Sequence, residues 1–229
     1  FKAWSDEIFS NIGEILFGTA SPESEAAAAE MNAYFLQRIN HLRRNPNNHL
    51  LGQLVAIETE DGRLDDEELL SFCRLLLIAG NETTTGLITA SARIFHEEPQ
   101  TLAQIKQRPE LSGAFVEEAL RYYSPFSATV RRTTKDVELA GQTIGAGELV
   151  VPLIASANRD ERVFDAPDTF VMERSPNPHL GMGFGIHFCL GAHLARLEGK
   201  IVVEQMAERY AQVVLANPEK AAIGDLGGP

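Results

Sequence analysis

The feature that most constrains this chain is a glycine-rich stretch that ends in a cysteine just before a long helical pattern. Its four glycines are Gly181, Gly183, Gly185 and Gly191. Glycine has no Cβ and adopts positive φ readily, so such a stretch can press its backbone against a flat ligand. Cys189 precedes a helix predicted from about Ala192 to Val213, and a helix N-terminus favours a thiolate over a thiol. We expect this sulfur to be shielded from solvent and to bind a soft or borderline metal ion.

Two other interpretations stay open on these residues alone. The glycines can form only a tight turn in front of an inert, buried thiol. A zinc site is also conceivable, because four nearby side chains are of zinc-ligand types: His179, His187, Cys189 and His193. Against the zinc site, the paired Cys-x-x-Cys spacing of structural zinc modules is absent.

The spacing of the residues in this stretch favours a third interpretation. Its residues are Gly185, His187, Cys189 and Gly191, followed by Leu194-Ala195-Arg196. Together they resemble the cysteine loop of the cytochrome P-450 family, the haem-thiolate monooxygenases. The resemblance implies that Cys189 is the axial ligand of haem b, which is iron protoporphyrin IX, and that Gly185 and Gly191 lie against this cofactor. One position departs from the family, which usually has Phe seven residues before the cysteine; this chain has the apolar, adaptable Met182.

A second segment resembles the same family. The longest helical pattern runs from Leu64 to about His96, and its middle reads Ala79-Gly80-Asn81-Glu82-Thr83. In isolation this fits a polar kink, because glycine and threonine are poor helix formers. The family's distal helix, however, carries an Ala-Gly-x-Glu-Thr segment that crosses over the haem. The resemblance implies that Ala79 and Gly80 face the cofactor, that Gly80 leaves room for dioxygen, and that Glu82 and Thr83 relay protons.

Further residues match the family one by one. Glu118 and Arg121 lie three apart on one predicted helix and alone suggest an exposed ion pair. The resemblance adds Arg174 and implies a buried structural network of all three residues. Arg131 and His187 match partners of the haem propionates, a role that suits the bidentate guanidinium of arginine. The residues implied to line the substrate pocket are Leu76, Phe126, Ala128, Thr129 and Val130.

The helical patterns predict a mainly α fold with small β-sheets, of the cytochrome P-450 type. Besides the long helix, helices are expected at Phe1 to Phe17, Ser21 to Arg44, Leu50 to Ile57, Pro109 to Tyr123 and Ala155 to Phe164, with a hairpin at Val137 to Ile144. We expect residues 1–229 to be the C-terminal portion of a single domain whose N-terminal part is absent. The tail up to Pro229 is rich in glycine.

Composition restricts the partners. The net charge is −12, which argues against nucleic acid or an anionic membrane as the main partner. The two cysteines form no disulfide framework, which favours a reducing cytoplasm. No apolar run approaches the length of a membrane span, and the first residues do not read as a signal peptide.

The resemblance implies a monooxygenase that hydroxylates or epoxidises a small organic molecule with dioxygen and two electrons. Ferredoxin and ferredoxin reductase are the expected electron donors, and basic residues near the cysteine are candidates for docking an acidic ferredoxin: Arg132, Arg196 and Lys200. The alternative is a truncated, non-catalytic remnant of the fold that acts only through protein contacts.

Overall fold

The computed structural model describes residues 1–11, 19–59 and 62–217 of the chain. Three expectations lie outside these residues in whole or in part: the end of the first helix at Phe17, the turn at Glu60-Asp61, and the glycine-rich tail. The chain divides into two compact units, Phe1–Glu82 and Thr83–Pro229.

Helices dominate both units. In the described residues they are α1 (Lys2–Ser10), α2 (Pro22–Arg44), α3 (Leu50–Ala56), α4 (Asp66–Glu97), α5 (Pro99–Gln107), α6 (Ser112–Tyr122), α7 (Ile154–Ala157) and α8 (Ala192–Arg209). Short 3-10 turns lie at Pro109–Leu111 and Gly185–His187. No described helix combines the length and the apolar character that crossing a membrane requires.

Three two-stranded antiparallel sheets accompany the helices. The strands are β1 (Glu58–Thr59), β2 (Gly62–Arg63), β3 (Arg131–Arg132), β4 (Val137–Leu139), β5 (Gln142–Ile144) and β6 (Leu149–Val150). The pairs are β1 with β2, β3 with β6, and β4 with β5. The predicted hairpin is therefore present, and its turn residues Ala140 and Gly141 have the positive φ values of 51° and 78° that such a turn requires.

Local side chains explain where two helices begin. The Ser21 hydroxyl accepts a hydrogen bond from the Ser24 amide at 3.2 Å, directly before Pro22. Asp65 Oδ1 accepts from the Glu68 amide at 2.8 Å, and Glu68 Oε2 accepts from the Asp65 amide at 2.9 Å. These reciprocal bonds form a capping box at the start of α4.

Two predicted helix ends are wrong. The helix expected up to Phe164 spans only Ile154–Ala157, and Asp160 Oδ1 then accepts the Arg162 amide at 2.9 Å. This side-chain bond offers the backbone an alternative to helix. The last helix ends at Arg209 because Tyr210 is extended, with φ −115° and ψ 142°.

Each unit has its own core. In the first unit, one apolar cluster forms around Ile8 and Met31 and another around Ile39 and Leu69. The second unit has one larger cluster, to which α4, α5, α6 and α8 contribute. A close helix contact lies at Gly199, where an added Cβ would lie 2.9 Å from Leu87 Cδ2. The backbone of α8 therefore packs directly against side chains of its neighbours.

Candidate functional site

Residues 179–191, here called the cysteine loop, are folded back on themselves by backbone hydrogen bonds. The Cys189 amide donates to the Met182 carbonyl at 2.8 Å, and the Gly183 amide donates to the Leu180 carbonyl at 2.8 Å. Met182 itself is buried in the core of the second unit. The residue at which the motif departs from the family thus anchors the loop and fixes the backbone of the cysteine.

Glycines are required at several points of the cysteine loop. Gly183 and Gly185 have φ values of 75° and 64°, in the left-handed region that other residues rarely adopt. At Gly181 an added Cβ would lie 2.7 Å from the carbonyl oxygen of Leu120 in α6. The loop therefore lies directly on the backbone of α6.

The outer face of the cysteine loop is apolar and open to solvent. Cys189 is exposed, and the expectation that its sulfur is shielded when a cofactor is bound stays a prediction. The surrounding side chains are exposed as well: Phe184 by 83%, Ile186 by 97%, Phe188 by 49% and Leu190 by 73%. An exposed apolar patch of this kind is typical of a binding surface. The sulfur thus lies on a face suited to an apolar ligand.

The donor set distinguishes between the proposed metal sites. His179 Nε2 lies 3.1 Å from Glu117 Oε2, and His179 Nδ1 accepts from the Gly181 amide at 3.1 Å, so both ring nitrogens are engaged. Among the described residues, no group of three or more His, Cys, Asp or Glu side chains could hold a metal ion. The zinc interpretation is therefore wrong there. One thiolate on an apolar face instead fits a flat macrocycle whose own nitrogens supply the other metal ligands.

Next to the cysteine loop lies a charge network whose central pair is fully buried. Glu118 and Arg121 are both 0% exposed and form two hydrogen bonds of 2.8 Å with each other. Arg174 Nε donates to both oxygens of Glu118, at 3.1 and 3.2 Å. Arg121 also donates to the backbone carbonyls of Asn158, Pro167 and Thr169. These carbonyls belong to irregular segments, so the network fixes backbone that no helix or sheet would hold.

Asn158 is a site residue that the sequence analysis missed. It is 0% exposed, its Nδ2 donates to Ser124 Oγ at 2.7 Å, and its Oδ1 accepts from the Leu180 amide at 2.7 Å. It therefore ties the start of the cysteine loop to the end of α6. No signal in the sequence marks it, because its partners are 34 and 22 residues away.

A second carboxylate of α6 reaches the cysteine loop. Glu117 accepts from Arg196 Nε at 2.6 Å and from Arg196 Nη2 at 2.9 Å, in addition to its contact with His179. Partial burial would raise the pKa of Glu117, but the hydrogen bonds from His179 and Arg196 and the charge of Arg196 lower it to about 2. Glu117 is thus a carboxylate held ionised by two partners.

The proposed proton-relay acid lies in the first unit. Glu82 Oε1 accepts hydrogen bonds from Ser5 Oγ at 3.1 Å and from Asn81 Nδ2 at 2.9 Å. Ala79 and Gly80 are exposed, and an added Cβ at Gly80 would meet no atom within 4 Å. Leu76 is half-buried beside the apolar cluster around Ile39.

The remaining predicted site residues belong to the second unit. Thr83 is half-buried on α4, and His187 is exposed at the end of a 3-10 turn. Arg131 is exposed on β3, and its Nη1 donates to Thr129 Oγ1 at 2.7 Å and to the Val130 carbonyl at 2.8 Å. Phe126 and Ala128 belong to the extended segment before it, which is joined to residues 152–155 by backbone hydrogen bonds.

The residues expected to dock an acidic partner are partly engaged within the chain. Arg196 is paired with Glu117, and Lys200 Nζ lies 3.8 Å from Glu204 Oε1. Arg132 Nη1 donates to the Gly147 carbonyl at 2.7 Å. The positive charge of Arg196 is therefore partly offset, because the Glu117 carboxylate accepts from its Nε and Nη2.

The sequence of this chain is similar to those of known proteins. The sequence pattern of the cytochrome P-450 family matches residues 89–220 of this chain. The putative cytochrome P-450 YjiB of Bacillus subtilis (strain 168) is 40% identical over 213 residues, which are 92% of this chain and 54% of that protein. The biotin biosynthesis cytochrome P-450 of the same organism is 38% identical over 218 residues, 95% of this chain and 55% of that protein.

A solved structure agrees with these relatives. CYP109E1 from Bacillus megaterium, crystallised with testosterone, superposes with a TM-score of 0.81 at 41% identity, covering 92% of this chain and 57% of that chain. The mainly helical fold with small sheets is thereby confirmed. The chain spans about half the length of the curated relatives it matches.

Proposed function

Because this chain belongs to the cytochrome P-450 family, we propose that the protein is a monooxygenase acting on a small organic molecule. It would insert one atom of dioxygen, by hydroxylation or epoxidation. Members of this family are oxidoreductases that use haem b. The observation that carries the proposal is the exposed Cys189 on an apolar, glycine-shaped loop.

Cys189 would hold the cofactor from one side. When bound, haem supplies the iron at which dioxygen is activated, and a thiolate ligand favours cleavage of the oxygen–oxygen bond. The apolar side chains around Cys189 would cover the macrocycle and exclude water from the sulfur. Arg131 and His187 would bind the propionates, since exposed cationic or hydrogen-bonding side chains suit carboxylates.

Proton transfer is assigned to the long helix α4. Glu82 and Thr83 would form the acid–alcohol pair that delivers protons while bulk water is excluded. The hydrogen bonds that Glu82 accepts from Ser5 and Asn81 support this role, because they fix the position of the carboxylate. The absence of a side chain at Gly80 would leave space for dioxygen.

Substrate and electrons come from outside the chain. The residues proposed to contact substrate are Leu76 of the first unit and, in the second, Phe126, Ala128, Thr129 and Val130. Apart from Thr129 they are apolar, which favours a small, largely apolar molecule. Two electrons would arrive one at a time from a ferredoxin and its reductase in the cytoplasm. Arg132, Arg196 and Lys200 stay candidates for contact with that partner.

The test is the absorption spectrum of the reduced protein under carbon monoxide, after loading with haem. The proposal expects the red-shifted Soret band of a thiolate-ligated haem, and it expects Cys189→Ser to abolish that band. Cys73→Ser is the matched control, because Cys73 is a buried thiol whose pKa is raised by burial. A band that survives Cys189→Ser would overturn the proposal. A wild-type spectrum without it would favour the non-catalytic remnant.

A further inference from the structure

The two carboxylates Glu117 and Glu118 are adjacent in sequence but act on different parts of the molecule. Glu118 belongs to the buried network next to the cysteine loop. Glu117 is partly exposed and bonds to His179 at the start of the loop and to Arg196 in the second turn of α8. Cys189 lies between these two partners in the sequence. The Glu117 side chain thus binds one residue before Cys189 and one residue after it.

The hydrogen-bond pattern fixes the tautomer of His179. Its Nδ1 accepts the Gly181 amide, so the ring proton lies on Nε2 and is donated to Glu117. The imidazole is buried, with its side chain 3% exposed. The His179 ring therefore links Glu117 to the backbone of the cysteine loop at Gly181.

Arg196 follows the cysteine closely in the fold. The Ala192 amide donates to the Cys189 carbonyl at 3.2 Å where α8 begins, and Arg196 lies about 6 Å further along this helix. The hydrogen bond to Glu117 is the main cause that raises the pKa of Arg196. The ion pair with Glu117 offsets the charge of this guanidinium. The electrostatic potential at the Cys189 sulfur therefore depends on both Arg196 and Glu117.

We propose that Glu117, Arg196 and His179 form a positioning network that sets the place of the Cys189 sulfur and the electric field on it. Glu117 holds the guanidinium of Arg196 and neutralises it, and His179 holds the loop in register with α6. None of the three touches substrate or accepts an electron. The proposal rests on the proposed function, since it treats Cys189 as the axial ligand.

The field part of the proposal predicts opposite signs for two variants of the haem-loaded protein. Glu117→Gln leaves Arg196 unpaired, so the added positive charge should raise the reduction potential of the bound haem. Arg196→Gln leaves Glu117 unpaired, so the added negative charge should lower it. In the double variant both charges are gone, and the potential should return close to that of the wild type. A purely structural role would not produce opposite shifts that cancel.

Glu204→Gln is the matched control. Glu204 also joins α8 to α6, accepting from Ser112 Oγ at 2.7 Å, but it lies eight residues beyond Arg196, about 12 Å further along the helix. Its substitution should leave the potential unchanged. Two single variants that shift the potential in the same direction, or not at all, would overturn the field part of the proposal.

The positioning part is tested by amide hydrogen exchange without reference to the cofactor. Glu117→Ala removes the acceptor of His179, so the Gly181 amide should exchange about fivefold faster, the change expected for one net hydrogen bond. Glu204→Ala should leave that amide unchanged, and an equal effect of both variants would overturn this part. Failure of the proposed function would look different, because the thiolate spectrum would then survive Cys189→Ser.

Discussion

Two neighbouring regions of the second unit differ in an unusual way: one buries charged side chains, and the other exposes apolar ones. The network of Glu118 and Arg121 places charges where water does not reach, at 0% exposure. The cysteine loop places Phe184 and Ile186 in solvent, at 83% and 97% exposure. Buried charges are tolerated because each one has partners, whereas the exposed apolar side chains have none in the loop itself. The difference fits a structural role for the buried network and the proposed role of the loop in binding a ligand.

Removing the buried carboxylate should have the largest effect on this contrast. Glu118→Ala leaves Arg121 and Arg174 in the interior without their counter-ion, and breaking a buried ion pair costs about 3–5 kcal/mol. The free energy of unfolding in urea measures the loss. Glu173→Ala is the control, because Glu173 pairs with Arg108 on the surface, where such a pair is worth at most about 1 kcal/mol. Equal losses in both variants would contradict the structural role of the network.

A smaller effect is expected where the two regions touch. The Cβ of Gly181→Ala would lie 2.7 Å from the Leu120 carbonyl oxygen, and the backbone must shift, at a cost of about 1–3 kcal/mol. Gly113→Ala in α6 is the control, because an added Cβ there meets no atom within 4 Å. The midpoints of urea denaturation of both variants measure this cost. An unchanged midpoint for Gly181→Ala would mean that the cysteine loop does not pack against α6.

The smallest change in stability is expected on the outer face. Ile186→Ser should alter the free energy of unfolding by no more than about 0.5 kcal/mol, because the side chain is 97% exposed. Its affinity for haem should nevertheless fall by at least about tenfold, since apolar area that the cofactor would cover is lost. A haem titration measures this. Leu139→Ser on β4, where Leu139 is 58% exposed, should leave the affinity unchanged; a similar drop there would contradict a specific role of the loop.

Much of the fold could be predicted from short stretches of sequence. Ser21 and Asp65 start helices through side chains that bond to amides only three residues away, and the hairpin turn needs only its own two residues. Helix ends were predicted less well. At Asp160 a side-chain bond to the backbone competes with the helix, and the helical pattern alone does not reveal which of the two prevails.

The candidate site also has a part that could be predicted from the sequence and a part that could not. The cysteine motif and the residues that match the family stand in the sequence, and their roles stay predictions. Asn158 and the engagement of Arg196 by Glu117 could not be predicted, because their partners lie 22 to 79 residues away. The docking role of Arg196 stays a prediction, but its ion pair with Glu117 could not be seen in the sequence, because only the fold brings the two side chains together.

The sequence by itself determined the helical character, the glycines that need positive φ, and the single thiol at the start of α8, because each depends on the chemistry of adjacent residues. Only the tertiary structure decided which charges are buried together and which apolar side chains stay open to solvent. Burial and pairing are properties of segments far apart in the chain, and they exist only once those segments have packed against one another.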